Sequence, residues 1–367
     1  MIILNKIVKN ILVKIENEGY EAYAVGGYVR DLLSGISSYD IDICTNATPK
    51  ELMRIFPNAS SKNLGGIEFK LKEYHVEITT YREEIKYKGR KPVEFNYVNN
   101  LILDLQRRDF TVNAICMNSK GEIIDLVGGI DDLSALKIKM IGDPNKKIKE
   151  DPLRILRGIR IATHLNFHLD RALYKEIKEN KELVLTLSNT RIKEELDKML
   201  LSKNVKKGLN LLNDLGILTL LEISNWEEII PVKNLEGMYA QIKINYDLPF
   251  TKVEKNNILS IKQILGHETI DKATVYHYGL YLSLVAGEIL GIDKKKINKI
   301  SKELPIHDKK DINIKACDIV AILEIDYSKQ VSIILKNIEN LIINGKIRNK
   351  TSDIEKYIRD HKSEWIK

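Results

Sequence analysis

Two aspartates separated by one residue, Asp40 and Asp42, are the side chains of this sequence best suited to chemistry. They lie in an alternating run from Tyr39 to Ile43, which predicts a strand. On a strand, alternate side chains share a face, with their Cα atoms roughly 6.5–7 Å apart. Two carboxylates so placed repel each other unless a cation lies between them, and hard divalent cations take oxygen ligands. The spacing therefore predicts a divalent-cation site.

A glycine pair ahead of these aspartates, Gly26-Gly27, predicts a phosphate site. The pair ends a short apolar run, and the residues after it have the spacing of a helix with one buried face. Free N–H groups and the positive dipole end of a helix suit a phosphate, and Arg30 adds a planar donor fork. Either motif alone is common in structural turns. Their succession favours metal-assisted phosphoryl or nucleotidyl transfer.

Elements that could complete this site follow along the chain. A strand is predicted over His75–Arg82, and Glu77 becomes a third carboxylate if that strand lies beside the aspartate strand. The charged segment 83–92, EEIKYKGRKP, has no apolar periodicity and predicts a mobile surface loop. In Arg107–Ala114 apolar residues alternate with polar ones, which predicts that the polar residues share a face. Asp125–Leu133 predicts a strand end, a glycine turn and a capped helix.

The second half of the sequence, from about Asn145, is predicted to be helical. Asp151 is a predicted N-cap, with Pro152 at the first helical position. Leucine or isoleucine recurs every three residues at Leu153, Leu156 and Ile159, which predicts a core face. Arginine recurs at the same spacing at Arg154, Arg157 and Arg160, which predicts a cationic stripe. Further helices are expected at roughly 191–201, 204–220, 225–244, 250–265, 270–291, 294–303 and 327–345.

Composition sets the class of protein. A length of 367 residues allows two or more domains, and a formal net charge of +7 fits a polyanionic partner. Cys44, Cys116 and Cys317 lack the spacing of a metal or redox motif and predict a reducing compartment. Lysines interrupt the apolar N-terminus, which predicts an amphipathic helix rather than a targeting segment. We expect a soluble, cytoplasmic protein that does not enter a membrane.

Taken in order, these motifs resemble those of the bacterial CCA-adding tRNA nucleotidyltransferases, the class related to bacterial poly(A) polymerases. GGYVRD followed by DID resembles the catalytic motif, RRDFTVNA the ribose-recognition motif and DLVGGIDDL the hinge motif. EDPLRILR resembles the base-recognition motif, and TRIKEEL the helix that supports it. The resemblance extends to the C-terminal tail, so that it covers nearly the whole chain.

The resemblance implies an α+β fold. A polymerase-β-like nucleotidyltransferase head, a mixed sheet with helices, would occupy 1–140. An all-α remainder would follow, with a neck over 141–203 that recognises the base, a body over 204–292 and a tail over 293–367 that binds tRNA.

The resemblance also assigns roles to side chains. Asp40 and Asp42 would be the metal ligands, and Gly27 and Arg30 would bind the triphosphate. Arg108 and Asp109 would lie at the phosphate and sugar, and Asp151 and Arg154 would read the base. Arg157 and Arg160 would lie near the phosphates or support the base-reading pair. The metal would be Mg²⁺, as two ions. The substrates would be CTP, ATP and the tRNA acceptor end. The protein could act as a homodimer.

The base-reading pair also has a physical argument. Residues three apart on a helix are neighbours, so Asp151 and Arg154 can present an acceptor and a donor fork together. Cytosine and adenine offer an amino donor beside acceptors, where uracil and guanine carry a carbonyl. A carboxylate facing a carbonyl leaves two acceptors unpaired, which supports large discrimination. The pair would accept CTP and ATP without a nucleic-acid template.

Four alternatives remain open from the sequence. The loop from Tyr81 to Phe95, associated in the family with the switch from C to A addition, is slightly shorter than expected, which leaves a CC-only enzyme open. A poly(A) polymerase is a close alternative, although Leu64–Thr80 lacks the basic Gly-Arg-Arg-Phe-like run of that branch. A non-catalytic RNA-binding protein would be expected to lose one motif aspartate. A small-molecule nucleotidyltransferase would leave the basic helical half unexplained.

Overall fold

A computed structural model describes residues 4–88 and 91–365 of the chain. It consists of two compact units, one formed by Met1–Ile223 with Asn245–Pro249 and the other by Ser224–Ile244 with Phe250–Lys367. The first unit contains a mixed sheet with helices, and the rest of the chain is mostly helical, which confirms the predicted α+β fold class. The four-part division into head, neck, body and tail stays a prediction.

The segment predicted as the head contains nine described strands up to Ile124, seven of which form one sheet. The strands are β1 (Ala22–Val25), β2 (Asp40–Thr45), β3 (Ser60–Lys62), β4 (Gly66–Leu71), β5 (Tyr74–Thr80), β6 (Arg82–Lys88), β7 (Lys91–Tyr97), β8 (Cys116–Met117) and β9 (Ile123–Ile124). The sheet has the order β3-β4-β5-β2-β1-β8-β9. β2 pairs parallel with β5 and antiparallel with β1, so the aspartate strand is the central one.

The two faces of β2 have different surroundings. Ile41 and Ile43 are buried in the main core of the head. On the other face the exposure falls along the strand, from exposed Asp40 through partly buried Asp42 to buried Cys44. The predicted alternation is confirmed, and it leaves both carboxylates at the open end of that face.

Helices cover the apolar face of the sheet. The head contains α1 (Lys6–Glu16), α2 (Gly27–Leu33), α3 (Pro49–Ile55), α4 (Leu101–Gln106) and α5 (Gly129–Ser134). α1 buries Val8, Ile11, Leu12 and Ile15 in the core cluster that also contains Ile41 and Ile43 of β2, which confirms the amphipathic first helix. A smaller apolar cluster, with Cys44, Tyr81 and Leu105, lies beyond the carboxylates.

The segment predicted as a loop over 83–92 is largely a β-hairpin, so that prediction was wrong. β6 and β7 pair antiparallel with each other, from Arg82 opposite Tyr97 to Lys88 opposite Lys91. The register shifts between Glu84 and Lys86 and again between Lys86 and Tyr87. These shifts break the period of two, which is why the sequence shows no strand pattern. Residues 89 and 90 lie outside the described part of the chain.

The alternation predicted over Arg107–Ala114 is not that of a strand. Thr111–Asn113 form a 3₁₀ turn in which all three residues are buried. The turn faces α5, since the Thr111 hydroxyl donates to Asp132 Oδ2 at 2.8 Å. The downstream prediction is confirmed, because Asp125 accepts from the backbone N–H groups of residues 127, 129 and 130 after strand β9 and opens α5.

The rest of the first unit is mostly helical. It contains β10 (Lys137–Ile138), α6 (Pro144–Glu150), α7 (Leu153–Leu165), β11 (His168–Leu169), α8 (Arg171–Glu179), α9 (Asn189–Leu200), α10 (Val205–Asp214) and α11 (Ile217–Leu220). The predicted apolar set of α7 is buried, as expected for Leu153, Leu156 and Ile159. α7 begins one residue later than predicted, with Pro152 as its N-cap.

The second unit begins at Ser224, the last residue of the short strand β12 (Ile223–Ser224). It contains α12 (Leu235–Ala240), β13 (Lys243–Ile244), α13 (Lys252–Gly266), α14 (Lys272–Ile289), α15 (Lys294–Lys302), α16 (Ala316–Leu323), α17 (Lys329–Ile343), α18 (Thr351–Asp360) and α19 (Lys362–Trp365). The helix predicted over 225–244 is wrong, since only Leu235–Ala240 is helical there. Across the described residues, no helix is both long enough and apolar enough to cross a bilayer.

Candidate active site

Two adjoining cavities are lined by all the residues that the sequence predicted for the site except Glu77, the conditional third carboxylate. The first, of about 320 Å³, is lined by Gly26, Gly27, Asp42, Arg82, Glu84, Arg107, Arg108, Asp109, Asn113, Asp151, Arg154 and Arg157. The second, of about 520 Å³, shares Gly27, Asp42, Asn113 and Arg157 with the first. It adds Arg30, Asp40 and Arg160, so Asp42 borders both cavities and Asp40 only the second.

The glycine turn lies directly against the Asp42 carboxylate. Gly26 has φ 78°, a conformation that L side chains rarely adopt. A Cβ atom at this position would stand 2.5 Å from Asp42 Oδ2. Glycine is therefore required twice, once for the turn and once for the close approach of the backbone to the carboxylate.

We expect Gly26→Ala to abolish activity as well as to destabilise the head. The left-handed φ alone costs roughly 1–3 kcal/mol. The added methyl group must also displace the Asp42 carboxylate. Gly35→Ala is the matched control, because Gly35 has φ 69° but a Cβ there would meet nothing within 4 Å. Chemical denaturation should show a loss in both variants, while nucleotide incorporation should fail only in Gly26→Ala; an active Gly26→Ala would contradict this account.

Asp42 resists ionisation in the folded protein. Burial raises its pKa to about 6, with Glu77 and Asp40 adding to the rise while Arg108 and Arg157 oppose it. Glu77 lies opposite Asp42 in the parallel register, as the third-carboxylate prediction required. Its Oε2 atom, however, lies 2.6 Å from Lys62 Nζ, so Glu77 already has a cationic partner.

The carboxylate pair fits a hard cation. In the described part of the chain, no group of three or more histidine, cysteine or acidic side chains is placed to hold a metal. Asp40 and Asp42 supply two carboxylates, and substrate oxygens or water would complete the coordination of a cation there. A cation there would stabilise the charged form of Asp42, which burial and the neighbouring carboxylates disfavour.

Both arginines of the RRD motif form ion pairs with one buried carboxylate that sequence analysis missed. Asp104 has a fully buried side chain; its Oδ1 lies 2.7 Å from Arg107 Nη2 and its Oδ2 3.0 Å from Arg108 Nη2. Burial acts to raise the pKa of Asp104, but Arg108 and Arg107 outweigh it and hold that pKa below its ordinary value. The signal was an aspartate three and four residues ahead of two arginines.

We expect Asp104→Asn to destabilise the protein by about 3–5 kcal/mol, because it removes the buried carboxylate that Arg107 and Arg108 share. Since the folded-state pKa of Asp104 lies below the unfolded one, the wild-type advantage is present at neutral pH and is lost as the pH falls below the ordinary range of an aspartate. Denaturation at neutral and acidic pH measures both. A loss that stays equally large at acidic pH would contradict the assignment.

A second carboxylate, Asp109, links the head to α7. Its Oδ2 lies 2.5 Å from Arg157 Nη2, and its Oδ1 accepts from Phe110 N at 2.8 Å and from Asn113 Nδ2 at 3.2 Å. Burial acts to raise the pKa of Asp109, but Arg157 and these hydrogen bonds hold it below its ordinary value. Asp109 is therefore an ionised acceptor on the cavity wall.

The predicted base-reading pair lies on the same wall. Asp151 Oδ1 accepts from Leu153 N at 3.1 Å, so the side chain caps the first turn of α7 even though Pro152 is the assigned N-cap. Arg154 Nη1 donates to Lys147 O at 2.7 Å and lies 3.3 Å from Glu150 Oε2. Glu150, which sequence analysis did not single out, thus fixes one side of the Arg154 fork.

The last two predicted arginines lie in the second cavity. Arg160 Nε lies 2.6 Å from Glu195 Oε2, and Glu195 belongs to the TRIKEEL segment of α9. Arg30 is buried and contacts Asp31 and Asn113. The hairpin base also reaches the first cavity, because Arg82 and Arg107 lie 2.8 and 3.8 Å from Glu84 Oε1. Sequence analysis missed Arg82 and Glu84.

Family models match three segments of the chain. They are described as the poly A polymerase head domain over residues 22–139, a probable RNA and SrmB-binding site of polymerase A over 166–225, and a putative domain 2 of tRNA nucleotidyltransferases over 247–358. A CCA-adding enzyme of Bacillus stearothermophilus, solved in complex with CTP, has the same fold, with a TM-score of 0.81, 24% identity and 97% coverage of both chains.

Curated relatives match over nearly their whole length. A CCA-adding enzyme of Lactococcus lactis subsp. cremoris is 32% identical over 92% of each chain. One of Streptococcus mutans is 31% identical over 95% of each chain. These matches confirm the resemblance drawn from the motifs. The chain belongs to the CCA-adding enzymes, a family of tRNA nucleotidyltransferases.

Proposed function

We propose that this protein adds C, C and A to the 3′ end of tRNA from CTP and ATP, releasing pyrophosphate, without a nucleic-acid template. One observation carries the proposal: a single cavity joins the Asp42 carboxylate, the Gly26-Gly27 turn and the pair Asp151 and Arg154. Metal binding, phosphate binding and base recognition are the three functions that such a transfer needs.

Asp40 and Asp42 are the proposed metal ligands. Two magnesium ions at this pair would activate the attacking 3′-hydroxyl and stabilise the leaving pyrophosphate. The chain's own contribution is to hold two carboxylates on one face of a central strand. The Gly26 turn excludes a side chain from Asp42 Oδ2 and so keeps that oxygen accessible.

The triphosphate is proposed to lie along the glycine turn and the arginines of the first cavity. Gly27 offers backbone without a side chain, and Arg30 lies behind it, with Nη2 3.5 Å from the position of a Gly27 Cβ. Arg108 Nε is buried without a hydrogen-bond partner in the described residues, which leaves a donor for the substrate. Asp109 is proposed to accept from the sugar.

The base is proposed to meet Asp151 and Arg154 on the wall formed by the start of α7. Because Glu150 and the Lys147 carbonyl hold Arg154, its guanidinium is pre-oriented. A rigid donor fork beside a carboxylate discriminates well, since a mismatched base cannot recruit a rotated side chain. Arg157 and Arg160 are proposed to lie near the phosphates or to support the pair.

The acceptor end of tRNA is proposed to enter the second cavity. That cavity is lined by Asp40 and Asp42 together with Arg157, Arg160 and Lys198. Cationic side chains beside the carboxylates suit an RNA backbone and make binding sensitive to salt. The CCA-adding enzyme of Thermotoga maritima, solved as a complex with tRNA, has the same fold, with a TM-score of 0.66 and 20% identity.

Full CCA addition is favoured over CC-only addition by the contact between hairpin and cavity. Glu84 on β6 bridges Arg82 and the cavity residue Arg107, so a change in the hairpin reaches the nucleotide site.

We further propose that the protein works in the cytoplasm, where the free cysteines Cys44, Cys116 and Cys317 stay reduced. A homodimer and the four-part domain division remain proposals.

Incorporation of labelled CTP onto tRNA that lacks its last three nucleotides tests the proposal. With magnesium present, we expect labelled product and an equivalent release of pyrophosphate. Binding of tRNA without incorporation would support a non-catalytic RNA-binding protein instead. Nucleotide transfer to small molecules but not to tRNA would indicate the small-molecule class.

A further inference from the structure

A continuous set of polar contacts runs from α2 to α7 behind the cavity. Arg30 Nε donates to Asp31 Oδ1 at 2.8 Å, Arg30 Nη2 lies 2.6 Å from the same oxygen, and Arg30 Nη1 donates to Asn113 Oδ1 at 2.6 Å. Asn113 Nδ2 then donates to Asp109 Oδ1 at 3.2 Å, and Asp109 Oδ2 contacts Arg157. Each nitrogen of the Arg30 guanidinium thus has a protein partner.

The two neighbours of Asn113 fix the orientation of its amide. A guanidinium only donates and an ionised carboxylate only accepts. The amide oxygen must therefore face Arg30 and the amide nitrogen must face Asp109. A reversed amide would place NH₂ against the guanidinium and the carbonyl against the carboxylate, which are both repulsive contacts. Arg30 therefore fixes the orientation of the Asn113 amide, whose nitrogen donates to Asp109.

Asp109 is held from three sides by these contacts. Phe110 N and Asn113 Nδ2 occupy Oδ1, and Arg157 contacts Oδ2. Oδ2 is buried in the wall of the first cavity and forms an ion pair but no hydrogen bond with the described residues, so it retains capacity to accept one. The 2′-hydroxyl of a ribose could donate a hydrogen bond to this oxygen, whereas deoxyribose has no 2′-hydroxyl.

We propose that Arg30 is a positioning residue for sugar recognition, which acts through Asn113 to orient Asp109 toward the ribose of the incoming nucleotide. The inference rests on the proposed function, in which Asp109 lies at the sugar. It separates two roles for Arg30. A direct phosphate ligand affects CTP and dCTP equally, because their triphosphates are identical, whereas a residue that orients Asp109 affects CTP more.

The test compares kcat/KM for CTP and dCTP on the same tRNA in the wild type, Arg30→Gln, Asn113→Ala and the double variant. We expect the preference for CTP to fall about tenfold in each single variant, the effect of one lost hydrogen bond. The double variant should lose little more, since both changes break the same contact chain. Arg54→Gln is the control, since Arg54 on α3 also pairs with a carboxylate, that of Glu18, but its side chain is 65% exposed.

Each outcome decides between the proposals. Equal slowing of CTP and dCTP, with an unchanged ratio, would overturn the positioning role and favour a direct phosphate contact. A wild type that incorporates both nucleotides equally well would overturn it too. If Arg30→Gln does not fold, Asn113→Ala still tests the proposal, because an unchanged CTP-to-dCTP ratio in that variant would overturn any role that passes through Asn113. A wild type inactive on every tRNA would overturn the proposed function itself.

Discussion

Asp42→Asn is expected to abolish nucleotide incorporation and yet make the folded protein more stable at pH 7. The asparagine keeps the shape of the side chain but removes the charge that a cation needs, so we expect a loss of at least about 1,000-fold in kcat. The gain in stability has a separate cause, because the folded structure disfavours the ionised form of Asp42.

The sign of the stability effect follows from the pKa of Asp42. Its folded-state pKa of about 6 lies above the ordinary aspartate value of 3.8, so the folded protein binds a proton between these two pH values. Stability therefore falls as the pH rises through this window, and above it the ionised carboxylate costs about 1–3 kcal/mol. Asparagine removes that cost, so the variant should melt at a higher temperature at pH 7 and show no advantage at acidic pH.

Thermal melts with and without magnesium check this prediction. Magnesium should raise the Tm of the wild type more than that of Asp42→Asn, since a ligand stabilises only the protein that binds it. Asp214→Asn, at the exposed end of α10, controls for a general effect of the amide. A variant less stable than the wild type at pH 7 would contradict the environment assigned to Asp42.

Asp151→Asn is expected to relax the choice of base. An amide offers a donor as well as an acceptor, so it can face the carbonyl of uracil or guanine as well as an amino group. We expect the preference for CTP over UTP to fall by about 100-fold or more, because the buried mismatch that excluded UTP is gone. The substitution keeps an oxygen that can accept from Leu153 N, so the start of α7 should survive.

Competition between labelled CTP and UTP measures the effect. Asp170→Asn is a matched control, because Asp170 Oδ2 caps α8 by accepting from Ala172 N at 3.1 Å but lines neither cavity. The control should keep the wild-type preference and change little in stability, since asparagine caps a helix about as well as aspartate. If Asp151→Asn is slow but still rejects UTP as strongly as the wild type does, Asp151 does not read the base.

The central strand and the start of α7 were predictable because their patterns are local. β2 buries one face completely, so the alternation from Tyr39 to Ile43 had a single consistent interpretation. The recurrence of Arg154, Arg157 and Arg160 likewise follows from helix geometry. Such periodicities need no knowledge of distant contacts.

The missed features depend on contacts between distant parts of the chain. Arg30 and Asn113 are 83 residues apart, and no local pattern shows that they meet. Glu84 was hidden because the hairpin containing it shifts register, which removes the alternation of its strand. Thr111–Asn113 imitate a strand in sequence, but burial on all sides made them a 3₁₀ turn.

Sequencing the tails added to one tRNA that lacks its last three nucleotides, with all four nucleoside triphosphates present, is the most direct test of the account. The account predicts two C residues, one A and then a stop, with U and G absent. Tails that end after two C residues would leave a CC-only enzyme, and unlimited A tails would indicate a poly(A) polymerase. Tails containing all four bases would contradict base selection by Asp151 and Arg154.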